Sequence, residues 1–287
     1  MIPMILPMIL ATRLAAPLAV QATAPDAPPT PPAVSPATAP PSSEKPASEM
    51  RSSQARVEEF LLELEKSGST IRSMSGALAY EKFDALVEES ERRFGRIVLE
   101  SSDGKRRFAI LFDEFIDGTG RSDRSIDHWI YADGWLSQQD HRNRSFTRRQ
   151  IVAPGRDFDP LALGEGPIPI PIGQKRADVL ARFEVSETEP PQDVPLLATL
   201  RDVAGLRLVP KPETEMARST EAIELFFDRT TLAPTGVVIR ERNGNRTIAR
   251  IASPVVNGDV KPEDRALLEV PSPDPAAWAV DVRPWKE

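Results

Sequence analysis

The 287 residues contain no cysteine, which removes disulfides, thiolate nucleophiles, zinc–thiolate sites and iron–sulfur clusters together. It also removes the acylated cysteine that anchors bacterial lipoproteins. Histidine is almost as scarce. His128 falls in an expected strand and His141 comes just after the run Trp135–Asp140, with no His-x-x-x-His or His-Glu spacing. Neither is therefore expected to bind metal or act as a base. Gly-x-Ser-x-Gly, Gly-x-Gly-x-x-Gly and phosphate-cradling loops are missing as well, so no cofactor is expected. A basic excess is lacking: 36 Lys and Arg face 43 Asp and Glu, a net charge of −7 with pI ≈ 5.2. That balance argues against nucleic acid, whose phosphates need a basic surface, and against a polybasic membrane-surface protein. So many carboxylates make any proposed catalytic acid pair uninformative.

The apolar stretch Met1–Ala22 is interrupted by Pro3, Pro7, Pro17 and Arg13, which argues against a spanning helix. It ends Val20-Gln21-Ala22, a small-residue cleavage pattern, and residues 1–22 read as a cleaved signal peptide without the usual basic start. The competing reading is a start codon placed upstream of a cytosolic protein.

Proline, by contrast, is in excess: 29 in all, with nine between Pro25 and Pro46 among Ala, Thr and Ser. Such a segment buries too little surface to offset its entropy, so residues 23–51 are expected to form an extended linker. The folded part, residues 52–287, should open with a helix capped by Ser52 or Ser53. There Val57, Phe60, Leu61 and Leu64 fall at helical spacing, Lys66 occupies the last turn and Gly68 lies just beyond it. The opposite face, Glu58, Glu59, Glu63 and Glu65, is acidic, so the apolar stripe must lie on something.

Beyond the helix the chain reads as β. Thr70–Phe83, Leu86–Ser101 and Arg106–Phe115 are candidate strands, and Phe108, Ile110 and Phe112 share one parity. Asp133-Gly134 predicts a two-residue hairpin turn that places Tyr131 opposite Leu136, with Trp129 on the same face. Asn243-Gly244 predicts a second hairpin, with Glu241 facing Arg246 and Ile239 facing Ile248. Ala222–Asp228 alternates, with Ile223, Leu225 and Phe227 on one side and Phe226 as the exception. Short strands at this spacing predict an antiparallel barrel, part-barrel or sandwich. Asn143-Arg144-Ser145 and Asn245-Arg246-Thr247 match glycosylation sequons, but both fall at hairpin ends where Asn is expected anyway.

Pro160–Gly173 is different. Proline at alternate positions forbids a central strand or helix, yet Leu161, Leu163, Ile168, Ile170 and Ile172 make it apolar. A stiff apolar loop is expected to cover something apolar. It leads into a short helical stretch, Gln174–Arg182, with Val179 and Leu180 on its apolar side, and Pro190–Pro195 is expected to be a surface loop.

The order of these motifs resembles the outer-membrane lipoprotein carrier family, the LolA-like proteins, over roughly residues 54–256. It runs from the leading helix through Gly-Arg-Ile-Val-Leu (Gly95–Leu99), Ala-Ile-Leu-Phe (Ala109–Phe112) and Trp-Ile-Tyr-Ala-Asp-Gly-Trp-Leu (Trp129–Leu136). The Pro-Ile loop, Ile-Glu-Leu-Phe-Phe-Asp (Ile223–Asp228) and Leu-Ala-Pro-Thr (Leu232–Thr235) before the Asn-Gly hairpin complete it. The resemblance implies a mainly β fold, an incomplete antiparallel barrel with an N-terminal helix and a lid of helices and loops. It implies a periplasmic, non-enzymatic carrier of lipoprotein or lipid acyl chains, passed from an inner-membrane transporter to an outer-membrane receptor.

On this reading the ligand lies against Phe108, Ile110, Phe112, Trp129, Tyr131, Leu136, Ile223, Leu225, Phe227, Ile239 and Ile248. Phe60, Leu61, Leu64, Leu161, Ile168, Ile170, Ile172 and Leu180 form the lid. The family latches its lid with a basic residue on an early strand, for which Arg72, Arg93 and Arg96 are candidates. Residues 262–287 and the Pro-rich leader go beyond the family's common core. The alternative is an envelope sensor or interaction module using the same fold to regulate a stress response. A hydrolase is a third reading, with only the surplus of carboxylates behind it.

Overall fold

A computed structural model of the chain describes residues 47–102, 105–155 and 172–285. The signal expectation, the linker up to residue 46, and lid residues Leu161, Ile168 and Ile170 lie outside the described residues, whereas residues 47–51, expected as linker, are the start of a helix.

Helix α1 (Ala47–Thr70) leads into β1 (Ser73–Asp84), β2 (Glu89–Ser102) and β3 (Lys105–Ile116). The two-residue β4 (Ser122–Asp123) pairs with β3, and β5 (Asp127–Ala132), β6 (Trp135–Asp140) and β7 (Ser145–Gln150) continue the meander. Helix α2 (Arg176–Arg182) precedes β8 (Phe183–Thr188) and β9 (Val203–Pro210). Then come β10 (Thr220–Asp228), β11 (Pro234–Glu241), β12 (Arg246–Val256), α3 (Pro262–Ala266) and β13 (Ala279–Arg283).

The strands form one sheet in the order β13-β7-β6-β5-β3-β2-β1-β12-β11-β10-β9-β8, which curls without closing. It is therefore an incomplete barrel with an N-terminal helix. Every pairing is antiparallel except β13 on β7. Among the described residues no helix is long and apolar enough to cross a membrane.

Several local expectations are corrected. The helix starts at Ala47, so Ser52 and Ser53 lie inside it and not at its N-terminus, and Gly68 sits within its last turn. Gly68 is needed there for close approach: a β-carbon would fall 2.2 Å from the Gly173 amide nitrogen. Leu86 and Val87 belong to the β1–β2 turn and are exposed.

The Asp133-Gly134 turn forms as expected, both residues having positive φ, and Tyr131 faces Leu136. The Asn243-Gly244 hairpin is offset by one residue. Arg240 pairs with Arg246, Ile239 with Thr247 and Val238 with Ile248. The Gly244 amide donates to the Glu241 carbonyl, and the Glu241 amide to the Asn245 carbonyl. Asn-Gly thus ends a three-residue loop, with Gly244 alone left-handed, instead of forming a two-residue turn. A one-residue slip moves every side chain to the other face, so Ile248 leaves the face that holds Ile239.

The segment expected as a surface loop at Pro190–Pro195 is partly core. Val194 and Leu197 are fully buried and pack with Phe226, Val238 and Ile248. That contact explains why Phe226 broke the alternation of its strand: both faces of β10 are covered.

Candidate inner-face binding site

The inner face of the sheet, the one α1 covers, is built by strand alternation. Register carries one apolar row through Leu136, Tyr131, Phe108, Leu99, Met74 and Val256, and a second through Trp129, Ile110 and Ile97. The rings interlock. Phe108 stacks on Tyr131 with centroids 5.6 Å apart, and Phe112 meets Trp129 edge-on at 6.2 Å and Tyr80 at 5.9 Å.

Ile223, Leu225 and Phe227 of β10 form a second cluster with Leu206, Leu208, Val237 and, at its rim, Ile239. Ala249 of the first cluster is the register partner of Val237 of the second, so the two are one continuous apolar surface. Ten of the eleven expected ligand-face residues therefore share a face. Ile248 does not.

Helix α1 roofs the second cluster. Val57 and Leu61 are buried against it, Phe60 and Leu64 partly so, and the Phe60 ring meets Phe227 edge-on at 6.0 Å. Val179 and Leu180 of α2 extend the roof, and Ile172 closes onto the first cluster.

Polar ties hold the roof at its margins. Arg106 on β3 donates from Nη1 to the Ile172 carbonyl at 2.8 Å and from Nη2 to the Gly68 carbonyl at 3.2 Å. Nearer the start of α1, Arg56 makes a two-pronged pair with Glu187 at 2.9 and 3.2 Å. The Arg176 amide donates to Glu65 at 3.0 Å.

None of the three arginines expected as latch does this. Arg96 pairs with Asp264 on the outer face at 3.0 Å. Arg93 lies beside Glu91 and over the Phe115 ring, and the Arg72 amide is held by Asn257. Arg106 was nevertheless visible in the sequence as a lone cation in phase with Phe108, Ile110 and Phe112, where an apolar side chain would continue the face.

A cleft of ≈ 450 Å³ opens between α1 and the β8–β9 end of the sheet. Val57, Phe60 and Leu206 of the second cluster form its apolar wall, and Arg56, Glu59, Glu63, Glu187 and Arg229 its rim. A smaller cavity of ≈ 120 Å³ lies beside Phe112, among Arg93, Asp127, Asp140 and Arg142. Burial pushes the Asp127 carboxyl up, against hydrogen bonds from Gln138 and Trp129 that favour its ionised form. Burial likewise raises the Tyr80 phenol.

The two histidines sit elsewhere, under the C-terminal segment. His128 is buried on the outer face and donates from Nε2 to the Leu267 carbonyl at 2.8 Å, and His141 meets the Trp278 ring edge-on at 5.0 Å. Among the described residues no cluster of His, Asp or Glu has the arrangement of a metal site.

No family model matches the sequence, and no curated protein matches it. Solved structures are similar to it in fold. One is an uncharacterized conserved protein from Thermus thermophilus, 10% identical, TM-score 0.41, with 78% of this chain and 98% of that chain covered. Another is MucB, solved in complex with MucA(peri), 15% identical, TM-score 0.41, with 75% of this chain and 60% of that chain covered. A third, a LolA superfamily protein from Nitrosomonas europaea, is 9% identical, TM-score 0.31, with 72% of this chain and 96% of that chain covered.

Proposed function

We propose that the chain is an exported, non-enzymatic carrier that receives acyl chains of a lipid or lipoprotein on the inner face of its sheet. The observation that carries this reading is the construction of the roof. A continuous apolar face is covered by an amphipathic helix whose polar ties lie at its margins, and a cleft opens alongside that helix at the β8–β9 end. Lifting α1 would expose Ile223, Leu225, Phe227 and Leu206 together. An acyl chain laid there replaces the apolar contacts the helix gives up, at about 0.8 kcal/mol per buried CH₂. A few chains then hold firmly and still transfer. Donor and acceptor would be an inner-membrane transporter and an outer-membrane receptor.

The test is titration of the purified chain with a fluorescent acyl probe, alongside mass spectrometry of what co-purifies from its native host. Saturable binding, lost when Leu225→Glu puts a charge on the face of a chain that still folds, is the expected result. Absence of probe binding to the folded wild-type chain overturns the carrier reading.

A further inference from the structure

At the opposite end of the sheet the C-terminal segment adds β13 to β7. The Ala279 amide donates to the Arg144 carbonyl at 2.9 Å. In a parallel ladder alternate residues face the neighbour, so Ala279, Asp281 and Arg283 turn their backbone toward β7 while Val280 and Val282 turn theirs outward. Within the strand side chains add little: Val280 and Val282 are 40% and 53% exposed, and Arg283 pairs with Asp281 of its own strand at 2.8 Å. At its two ends Trp278 meets the His141 ring and the Trp285 amide donates to Gln150 Oε1 at 3.1 Å. The attachment is chiefly a backbone ladder, and such a ladder accepts other sequences.

The chain just before is held quite differently. Leu268 is buried with Val98, Ala109 and Ile130, Asp264 pairs with Arg96, and Arg265 pairs with Glu100 at 3.1 Å. Between this anchor and β13 lie Pro271, Pro273 and Pro275, which have no amide to give a ladder, and a turn in which the Asp274 carbonyl accepts from the Ala277 and Trp278 amides. Residues 279–285 can thus leave β7 while α3 stays in place.

β13 also fits imperfectly. Val282, Arg148 and Ser137 are successive register partners across β13, β7 and β6, on one face. Beneath Val282, the Arg148 Nε and the Ser137 hydroxyl are buried with no hydrogen-bond partner among the described residues. The Arg148 guanidinium lies over the Trp135 ring at 4.8 Å, and valine offers it no hydrogen bond, whereas a carboxylate at position 282 would accept from it. From His141 to Gln150 the chain carries four arginines and no acidic residue, in a protein of net charge −7.

We propose that the β7 edge is an acceptor for an extended acidic segment of a partner protein, running parallel to β7 with a carboxylate opposite Arg148. The chain's own β13 occupies that edge as a weaker stand-in. Neither role depends on acyl binding at the inner face.

The experiment uses the full chain and a fluorescent synthetic peptide of residues 278–285 bearing Val282→Glu. Binding is read by anisotropy, with hydrogen exchange of β1–β3 amides as the control for folding. The peptide is expected to bind at least about tenfold tighter to a chain whose own strand is released by Asp281→Pro. It should also outbind the Val282 peptide about tenfold, a preference removed by Arg148→Gln. Three results overturn the proposal. They are no binding to the folded Asp281→Pro chain, equal affinity for both peptides, or a wild-type dimer in light scattering that Asp281→Pro dissolves, which would show that the edge serves a second copy.

Discussion

Arg106 Nη2 donates to the Gly68 carbonyl across 3.2 Å, joining the third strand of the sheet to the last turn of the helix that roofs it. The same guanidinium holds the Ile172 carbonyl at 2.8 Å, so one cation fastens two covering segments to the floor. Its chemistry suits a fastening: backbone carbonyls accept from it without requiring a particular side chain on the roof.

Replacing that cation should loosen the roof more than the floor. Arg106→Gln removes charge-assisted hydrogen bonds worth about 1.5–3 kcal/mol. The expected outcome is a stability loss in that range by urea denaturation, with faster hydrogen exchange in α1 and faster acyl-probe uptake. Unchanged α1 exchange would show that Arg106 does not control the helix.

Gly68→Ala tests the close approach of the helix. In a free helix interior alanine is favoured over glycine by about 1 kcal/mol. Here the new β-carbon meets Gly173 backbone, so the substitution should destabilise the protein. A rise in melting temperature would show that the Gly68–Gly173 contact yields at little cost.

Acid should weaken the protein through His128. Burial, the largest influence, and the charge of His141 lower its pKa from 6.5, while the hydrogen bond to the Leu267 carbonyl acts the other way. A lowered native pKa means the unfolded chain takes up the proton first. Stability is therefore full above about 6.5 and falls as pH drops from there toward the native pKa. His128→Gln should flatten this part of the pH–stability curve, measured between pH 7.5 and 5.

The floor and the roof should respond differently to truncation. Phe112 is buried between Trp129 and Tyr80, so Phe112→Ala should cost about 3–5 kcal/mol. Phe60 is only partly buried and borders the cleft, so Phe60→Ala should cost less and speed probe uptake. Equal costs would mean that α1 is as integral to the core as the sheet.

Local chemistry made much of the inner face readable. Phe108, Ile110 and Phe112 occupy one parity of a strand, and Asp133-Gly134 is a turn whose geometry sets its register, so Tyr131 and Leu136 could be paired from the sequence. The Asn243-Gly244 hairpin misled because the same dipeptide also serves a three-residue loop. The two turns differ by a single pairing step, and favourable charge pairs are too weak to choose between them. In the structure Arg240 and Arg246 sit opposite each other, with Asp193, distant in sequence, 3.6 and 3.1 Å away.

Residue spacing within single segments was enough to settle which stretches alternate, where the helix carries its apolar stripe and that a cover was needed. Folding in three dimensions had to settle that Arg106 ties down α1, that Val194 and Leu197 bury the second face of β10, and that Ala279–Arg283 joins the sheet beside β7. Each of those joins residues far apart along the chain. A backbone carbonyl, an unsatisfied strand edge or the ring of Phe226 carries no mark in the sequence of the partner that will complete it.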